Sequence, residues 1–284
     1  MKNFKKLALM GLTAVMSLSL LAACGGGNSG SAETPSGNTE TPAASGEFTT
    51  VEAGKLIMST NAQFPPYEMV GDGEGYEGTG YEGIDVEIAY AIAEKLGLEL
   101  VVDNMGFDAA LQAVQTGKSD IVMAGVTVTD DRLEVMDFSD TYANGIQVVI
   151  VPENSDIATI DDLEGKLIGC QMGTTGYIYC SDTPENGGYG EDAVIPYDDG
   201  AAAVQALMNG QVDCVVIDNA PAQEYVKANP GLKILDTEFA NENYAIGFAK
   251  GNTALKDAVN TALNELIEDG TVQSIIDNYI PAEG

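Results

Sequence analysis

Arg132 is the sole arginine in a chain of 284 residues with a formal net charge of -32. It closes the run Ala124-Gly125-Val126-Thr127-Val128-Thr129-Asp130-Asp131-Arg132. A guanidinium holds its charge permanently and offers five donors in a rigid fork, a geometry matched to a carboxylate. Arg132 is therefore a candidate carboxylate clamp; a structural or surface ion pair with one of the many acids is the alternative. The chain has no histidine, the commonest general base and metal ligand. It shows no nucleophile paired with a base, no cofactor loop and no calcium-type run of spaced oxygen ligands. The chemistry on offer is recognition by charge and hydrogen bonding. A chain this acidic repels phosphate backbones, which argues against a nucleic-acid partner.

The elements that must position such a clamp show an internal repeat. Residues 109–125, AALQAVQTGKSDIVMAG, align without gaps on residues 202–218, with seven identities in seventeen. A chance match between two alanine-rich helices is the alternative. Each copy reads as a helix, a glycine stop at Gly117 or Gly210, and a buried strand opening at Asp120 or Asp213. Around the repeat, strands are predicted at 56–60, 98–102 and 121–124, with helices at 84–96 and 107–116. A second set has strands at 166–170, 194–197 and 214–217, with helices at 175–180 and 201–208. Two more helices, 254–268 and 272–279, end the chain. Continuous apolar strands alternating with helices predict an α/β fold of two lobes with mostly parallel sheets. Parallel sheets gather binding groups at the carboxyl ends of their strands. Gly125 and Asp218 lie just past equivalent strands, and Asn61 and Gln171 end the first strand of each lobe. Facing lobes would bring these four to one cleft.

Residues 1–23 carry Lys2, Lys5 and Lys6 followed by an apolar run, which reads as a secretory signal. Its removal would take the formal charge from -32 to about -35. Residues 24–47 are Gly, Ser, Thr and Pro-rich and read as a flexible tether. The body then occupies residues 48–284, and no other stretch approaches the length of an apolar membrane span.

Several segments in order resemble the bacterial extracellular solute-binding proteins of family 3, the amino-acid receptors of ABC importers. They are Asn61 to Glu68 (NAQFPPYE), Gly83 to Ala89 (GIDVEIA), Ala124 to Arg132, Asp137 to Asp140 (DFSD), Gly173 to Gly176 (GTTG), Val212 to Asp218 (VDCVVID) and Asp269 to Thr271 (DGT). Leu21-Ala22-Ala23-Cys24 likewise resembles a lipobox, which implies acylation of Cys24 and a lipid anchor in the cell membrane. The resemblance implies a type II periplasmic-binding-protein fold, with lobe I at 48–145 plus 242–284 and lobe II at 146–241. Hinge strands near 145–151 and 238–245 would join them. It implies a monomer that needs no cofactor, is no enzyme, and hands its ligand to the transmembrane subunits of a permease. Dehydratase-like enzymes on the same fold, or a sensory ligand domain, are the alternative readings.

The resemblance also assigns roles. Arg132 would grip the α-carboxylate of an L-amino acid, and Thr127 would add a backbone N–H and its hydroxyl. Gly125 would offer its carbonyl to the α-ammonium, Thr175 an N–H to the carboxylate, and Asp218 a charge to the ammonium. Phe64 and Phe107 would sandwich the aliphatic stem. Asn61 stands where several family members carry Asp, which favours a polar neutral tip over a basic one. Gln171, Tyr67 and Tyr177 could also reach that tip. The glycine-rich segment 71–83 is longer than the usual hairpin; it would cover the cleft mouth or form a mobile surface loop. Among the remaining cysteines, strand and helix placement favours a Cys180–Cys214 disulfide with Cys170 free; three reduced thiols are the alternative.

Overall fold

The structure, a computed structural model, describes residues 48–280. The signal segment, Cys24 and the tether lie outside these residues. Among the described residues, no helix is long and apolar enough to cross a membrane.

The first half of the body is built from β1 (Lys55–Thr60), β2 (Gln63–Phe64), β3 (Glu68–Val70), β4 (Tyr81–Glu82), α1 (Ile84–Leu96), β5 (Glu99–Asn104), α2 (Phe107–Gln115), β6 (Ile121–Val122) and α3 (Asp130–Val135). The long strand β7 (Met136–Pro152) leads to β8 (Ile168–Gln171), α4 (Thr175–Ser181), β9 (Val194–Tyr197), α5 (Gly200–Met208), β10 (Cys214–Asp218), α6 (Asn219–Ala228) and β11 (Leu232–Ile234). Strand β12 (Ala240–Ala249) returns to the first half, where α7 (Thr253–Glu268) and α8 (Thr271–Tyr279) finish the fold.

The main strands run in the order β5-β1-β6-β12-β7-β10-β8-β9. The outer groups, β5-β1-β6 and β10-β8-β9, are parallel, as the apolar strands predict. Between them β7 and β12 pair antiparallel over most of their length, and β10 and β6 join them antiparallel. The sheet is therefore mixed and continuous, because two strands long enough to serve both lobes cross between them. Both lie where hinge strands were expected, with Gln147 opposite Ala240.

The repeat has a physical counterpart. In the first copy, Asp120 accepts the Ile57 N–H at 2.7 Å and returns its own N–H to the Ile57 carbonyl. In the second, Asp213 does the same with Leu167, at 2.8 Å for the side-chain bond. Each aspartate thus fixes the register of the strand that ends in Asn61 or in Gln171. Separate apolar clusters fill the two halves: Leu56, Ile88 and Phe248 in one, Val204, Val215 and Leu232 in another.

Segment 71–83 forms the β3–β4 hairpin and packs onto α1, with the Tyr76 and Tyr90 rings edge-on at 5.4 Å. It belongs to the wall of the first half and lines no part of the cavity described below. Cys170, Cys180 and Cys214 are buried together as free thiols. The expected Cys180–Cys214 bond is not formed. The neighbouring Cys170, and then burial, push the Cys180 thiol well above the usual range.

Candidate functional site

Asn61, Phe64, Phe107, Gly125, Thr127, Arg132, Gln171, Thr175 and Asp218 all line one small cavity. The carboxyl ends of β1, β6, β8 and β10 converge there, as the repeat requires.

Arg132 is 8% exposed. Thr129 caps α3 by accepting the Arg132 N–H at 3.2 Å, which sets the direction of the side chain. Its Nη1 donates to the Thr127 carbonyl at 2.8 Å and its Nη2 to the Gly173 carbonyl at 3.2 Å. The guanidinium carbon stands 5.5 Å from the centre of the Phe107 ring. None of the ion pairs among the described residues involves Arg132. Burial lowers its pKa, opposed by Glu242 and, more weakly, by Tyr179, Asp108 and Asp218. A buried cation held by carbonyls and a ring, with no carboxylate in ion-pair contact among the described residues, has the capacity to take an anion.

Gly125 has φ 54°, and a Cβ there would stand 2.8 Å from Cε1 of Phe64. Its N–H donates to Asp85 at 2.9 Å, and Tyr142 donates to the same carboxyl at 2.7 Å. Burial still pushes Asp85 up to about 6. A Cβ on Gly173, where φ is 78°, would collide with the carboxyl of Asp108. Glycine thus lets backbone and neighbouring side chain approach closely on both sides of the cavity.

Thr175 opens α4, but the cap is Thr174, whose hydroxyl accepts the Tyr177 N–H. The Thr127 hydroxyl departs from expectation. It donates to Oε2 of Glu242 at 2.9 Å, so its proton is not free for a carboxylate. Asp218 accepts from Gln147 at 2.7 Å and from the Tyr244 hydroxyl. Burial, and then Glu242, push it up to about 7 despite those two donors.

At the other end, Gln171 donates to Asn61 Oδ1 at 3.0 Å and to the Asp198 carbonyl at 3.2 Å. Asn61 Nδ2 donates to the Met105 carbonyl at 2.9 Å. Both donor hydrogens of the glutamine are used. Glu68, fully buried, also lines the cavity, with neither carboxyl oxygen partnered among the described residues. Burial, and then Asp85, push it well above the usual carboxyl range. Tyr67 and Tyr177 do not reach this end. Tyr67 packs edge-on against Tyr244 at 5.2 Å, and Tyr177 joins the cysteine cluster.

Sequence reasoning missed Glu68, Gln147 and Glu242. Glu68 closes a segment already singled out, beside two prolines, and that position was its one signal. Gln147 and Glu242 lie inside long strands, where no local pattern separates them from solvent-facing polar residues.

Two lobes, two crossing strands and an anion clamp facing a buried acid define a type II periplasmic-binding-protein fold built around a solute site. Residues 56–282 match the model of the bacterial extracellular solute-binding proteins, family 3, and the chain belongs to that family. The arginine-binding extracellular protein of Bacillus subtilis (strain 168) is 31% identical over 269 residues, covering 93% of each chain. A probable histidine-binding protein of Neisseria gonorrhoeae is 33% identical, covering 80% of this chain and 83% of its own. Among solved structures, an ancestral arginine-binding protein bound to glutamine superposes with TM-score 0.72 at 38% identity, covering 81% of this chain and 100% of that one. An ancestral arginine-binding protein bound to arginine gives 0.71 at 38%, covering 80% of this chain and 98% of that one.

Proposed function

We propose that this protein is the receptor of an ABC importer for an L-amino acid, clamped by its two α-groups. The observation that carries this reading is Arg132, a buried cation with no carboxylate partner, facing Asp218 across one small cavity. Arg132, with the N–H groups of Thr127 and Thr175, takes the α-carboxylate. Asp218 and the Gly125 carbonyl take the α-ammonium. Phe64 and Phe107 flank the stem. A cation and an anion from the protein thus meet a zwitterion.

The tip of the ligand carries N–H donors. The Asn61–Gln171 pair has its glutamine donors occupied, which favours a ligand that donates. Asn61 in place of an acid supports a neutral, glutamine-like tip. The arginine-binding relatives weigh toward a basic one. L-glutamine and L-arginine are the two candidates.

In this reading lobe I spans 48–145 plus 242–284 and lobe II 146–241, and closing the lobes traps the ligand for the permease. Residues 1–23 are a signal, and acylated Cys24 with the tether 24–47 holds the body at the outer membrane face of the cell. Mass spectrometry of the protein from cells would find a lipid-modified Cys24 as the first residue. Isothermal titration of the purified protein with the common L-amino acids tests the function. Saturable binding of glutamine or arginine is expected; no binding across the panel would overturn the reading.

A further inference from the structure

Glu242 lies on β12, 5% exposed, behind the cavity wall rather than in it. Its Oε2 accepts from the Thr127 hydroxyl at 2.9 Å and from Gln147 Nε2 at 3.1 Å. Its Oε1 is buried and has no partner among the described residues. The same Gln147 nitrogen donates to Asp218 at 2.7 Å. One amide on β7 therefore holds two carboxyl groups together where the strands cross. The phenol of Tyr179 adds a third oxygen to this region, pushed up to about 12 by burial and then by Glu242.

A hydroxyl has one proton to give. Thr127 gives its proton to Glu242, so Oγ1 has lone pairs and no hydrogen to turn toward the cavity that Thr127 lines. A lone pair repels a carboxylate oxygen and accepts from an ammonium. Arg132 by itself would welcome any carboxylate of the right shape. Something must make that welcome conditional on the second α-group.

We propose that Glu242 is a specificity-determining residue that makes the site refuse carboxylates lacking an α-ammonium. It acts through the Thr127 hydroxyl, which it turns into an acceptor, and alongside Asp218, whose negative field it reinforces. Without an ammonium, a bound carboxylate faces two carboxyl groups and a lone pair with one guanidinium to offset them. With an ammonium, Asp218 and the Thr127 lone pair become its partners, and the field of Glu242 behind them favours it. Like-charge juxtaposition of this kind is a common way to reject a wrong partner. The inference rests on the amino-acid reading above.

The test uses two probe pairs: L-glutamine with 4-carbamoylbutanoic acid, and L-arginine with 5-guanidinopentanoic acid. The second member of each pair keeps the carboxylate and tip and lacks the ammonium. Dissociation constants are measured for the parent protein and for Glu242→Gln, which preserves the acceptor for Thr127 and removes the charge. The ratio between the members of the pair that binds should fall on the order of tenfold in Glu242→Gln, through tighter binding of the des-amino acid. Thr127→Val, which removes the oriented lone pair, should lower the same ratio and serves if Glu242→Gln does not fold. General loosening of the site would weaken both members alike and leave the ratio in place. A ratio within twofold of the parent in either folded variant would overturn the role of Glu242 alone. A parent protein that binds neither amino acid would remove the proposed function, and this inference with it.

Discussion

The side-chain amides of Asn61 and Gln171 hydrogen-bond to each other across the cavity, Nε2 to Oδ1, at 3.0 Å. Asn61 directly follows β1, and Gln171 is the last residue of β8, the matching strand of the other half. Closing the lobes thus joins two residues that are far apart in sequence and equivalent in the repeat. The pair forms a neutral wall at the end of the cavity where the ligand side chain would lie. Asn61→Asp keeps the acceptor for Gln171 and adds a negative charge to the cavity wall. Affinity for arginine relative to glutamine should rise about tenfold, measured by titration of both.

Arg132→Ala removes the cation and leaves a bound carboxylate desolvated without a partner. The loss should be about 3–5 kcal/mol of binding free energy. Arg132→Lys should recover part of it, because an ammonium cannot reach the carbonyls of Thr127 and Gly173 and a carboxylate in fork geometry together. Calorimetric titration of the three proteins checks both statements. Affinity within threefold of the parent in Arg132→Ala would remove the clamp.

Gly125→Ala sets a Cβ at φ 54° and 2.8 Å from the Phe64 ring. The backbone term alone should cost about 1–2 kcal/mol, and displacement of Phe64 should weaken binding further. Thermal unfolding and titration of this variant would separate the two effects.

Asp218 is pushed up to about 7 and Asp85 up to about 6, both first by burial. Between about pH 4, where unfolded carboxyls ionise, and these values, the folded protein keeps protons that the unfolded chain has released. Stability of the ligand-free protein should therefore fall as pH rises from 5 to 8. Repulsion among the many acids acts in the same direction, so Asp218→Asn is the control: it should flatten the profile. The stabilisation conferred by a bound amino acid should grow over the same interval, as its ammonium offsets an ionised Asp218. Melting temperatures at pH 5, 6, 7 and 8, with and without ligand, test both trends.

In the structure the two halves touch at the cavity through Arg132 to Gly173 and Gln171 to Asn61, and outside it through Tyr225 to the Gln63 carbonyl at 3.1 Å. A ligand that contacts both halves favours this closed arrangement over an open one. Small-angle scattering should show a smaller radius of gyration with saturating ligand. Tyr225→Phe, which breaks a contact outside the cavity, should shift the ligand-free ensemble toward the larger value.

Much of this site was legible in the sequence because the repeat carries its own geometry. Helix α1 and strand β9 fall on their predicted residues, Asp218 ends β10, and Gly125 stands just past the equivalent strand β6. The single arginine was conspicuous by composition alone. Helix α3 was not predicted, although Thr129 followed by Asp130 and Asp131 is a cap with acids in the first turn. Two buried acids, Glu68 in the cavity wall and Glu242 behind it, were not legible, since their burial is decided by partners distant in sequence. Strand β7 has 17 residues because it serves both lobes, a length no local pattern reveals. The cysteine pairing failed for a related reason: topology ordered the strands, but side-chain packing set which sulfurs meet.

The central claim is that the cavity recognises both α-groups of one amino acid. The most direct measurement is titration of the parent protein with L-glutamine and L-arginine, their N-acetyl derivatives and their methyl esters. Acetylation removes the charge that faces Asp218, and esterification removes the charge that faces Arg132. Each modification should weaken binding of the tighter-binding amino acid by roughly a hundredfold or more. Binding of either derivative within threefold of the parent amino acid would contradict the claim.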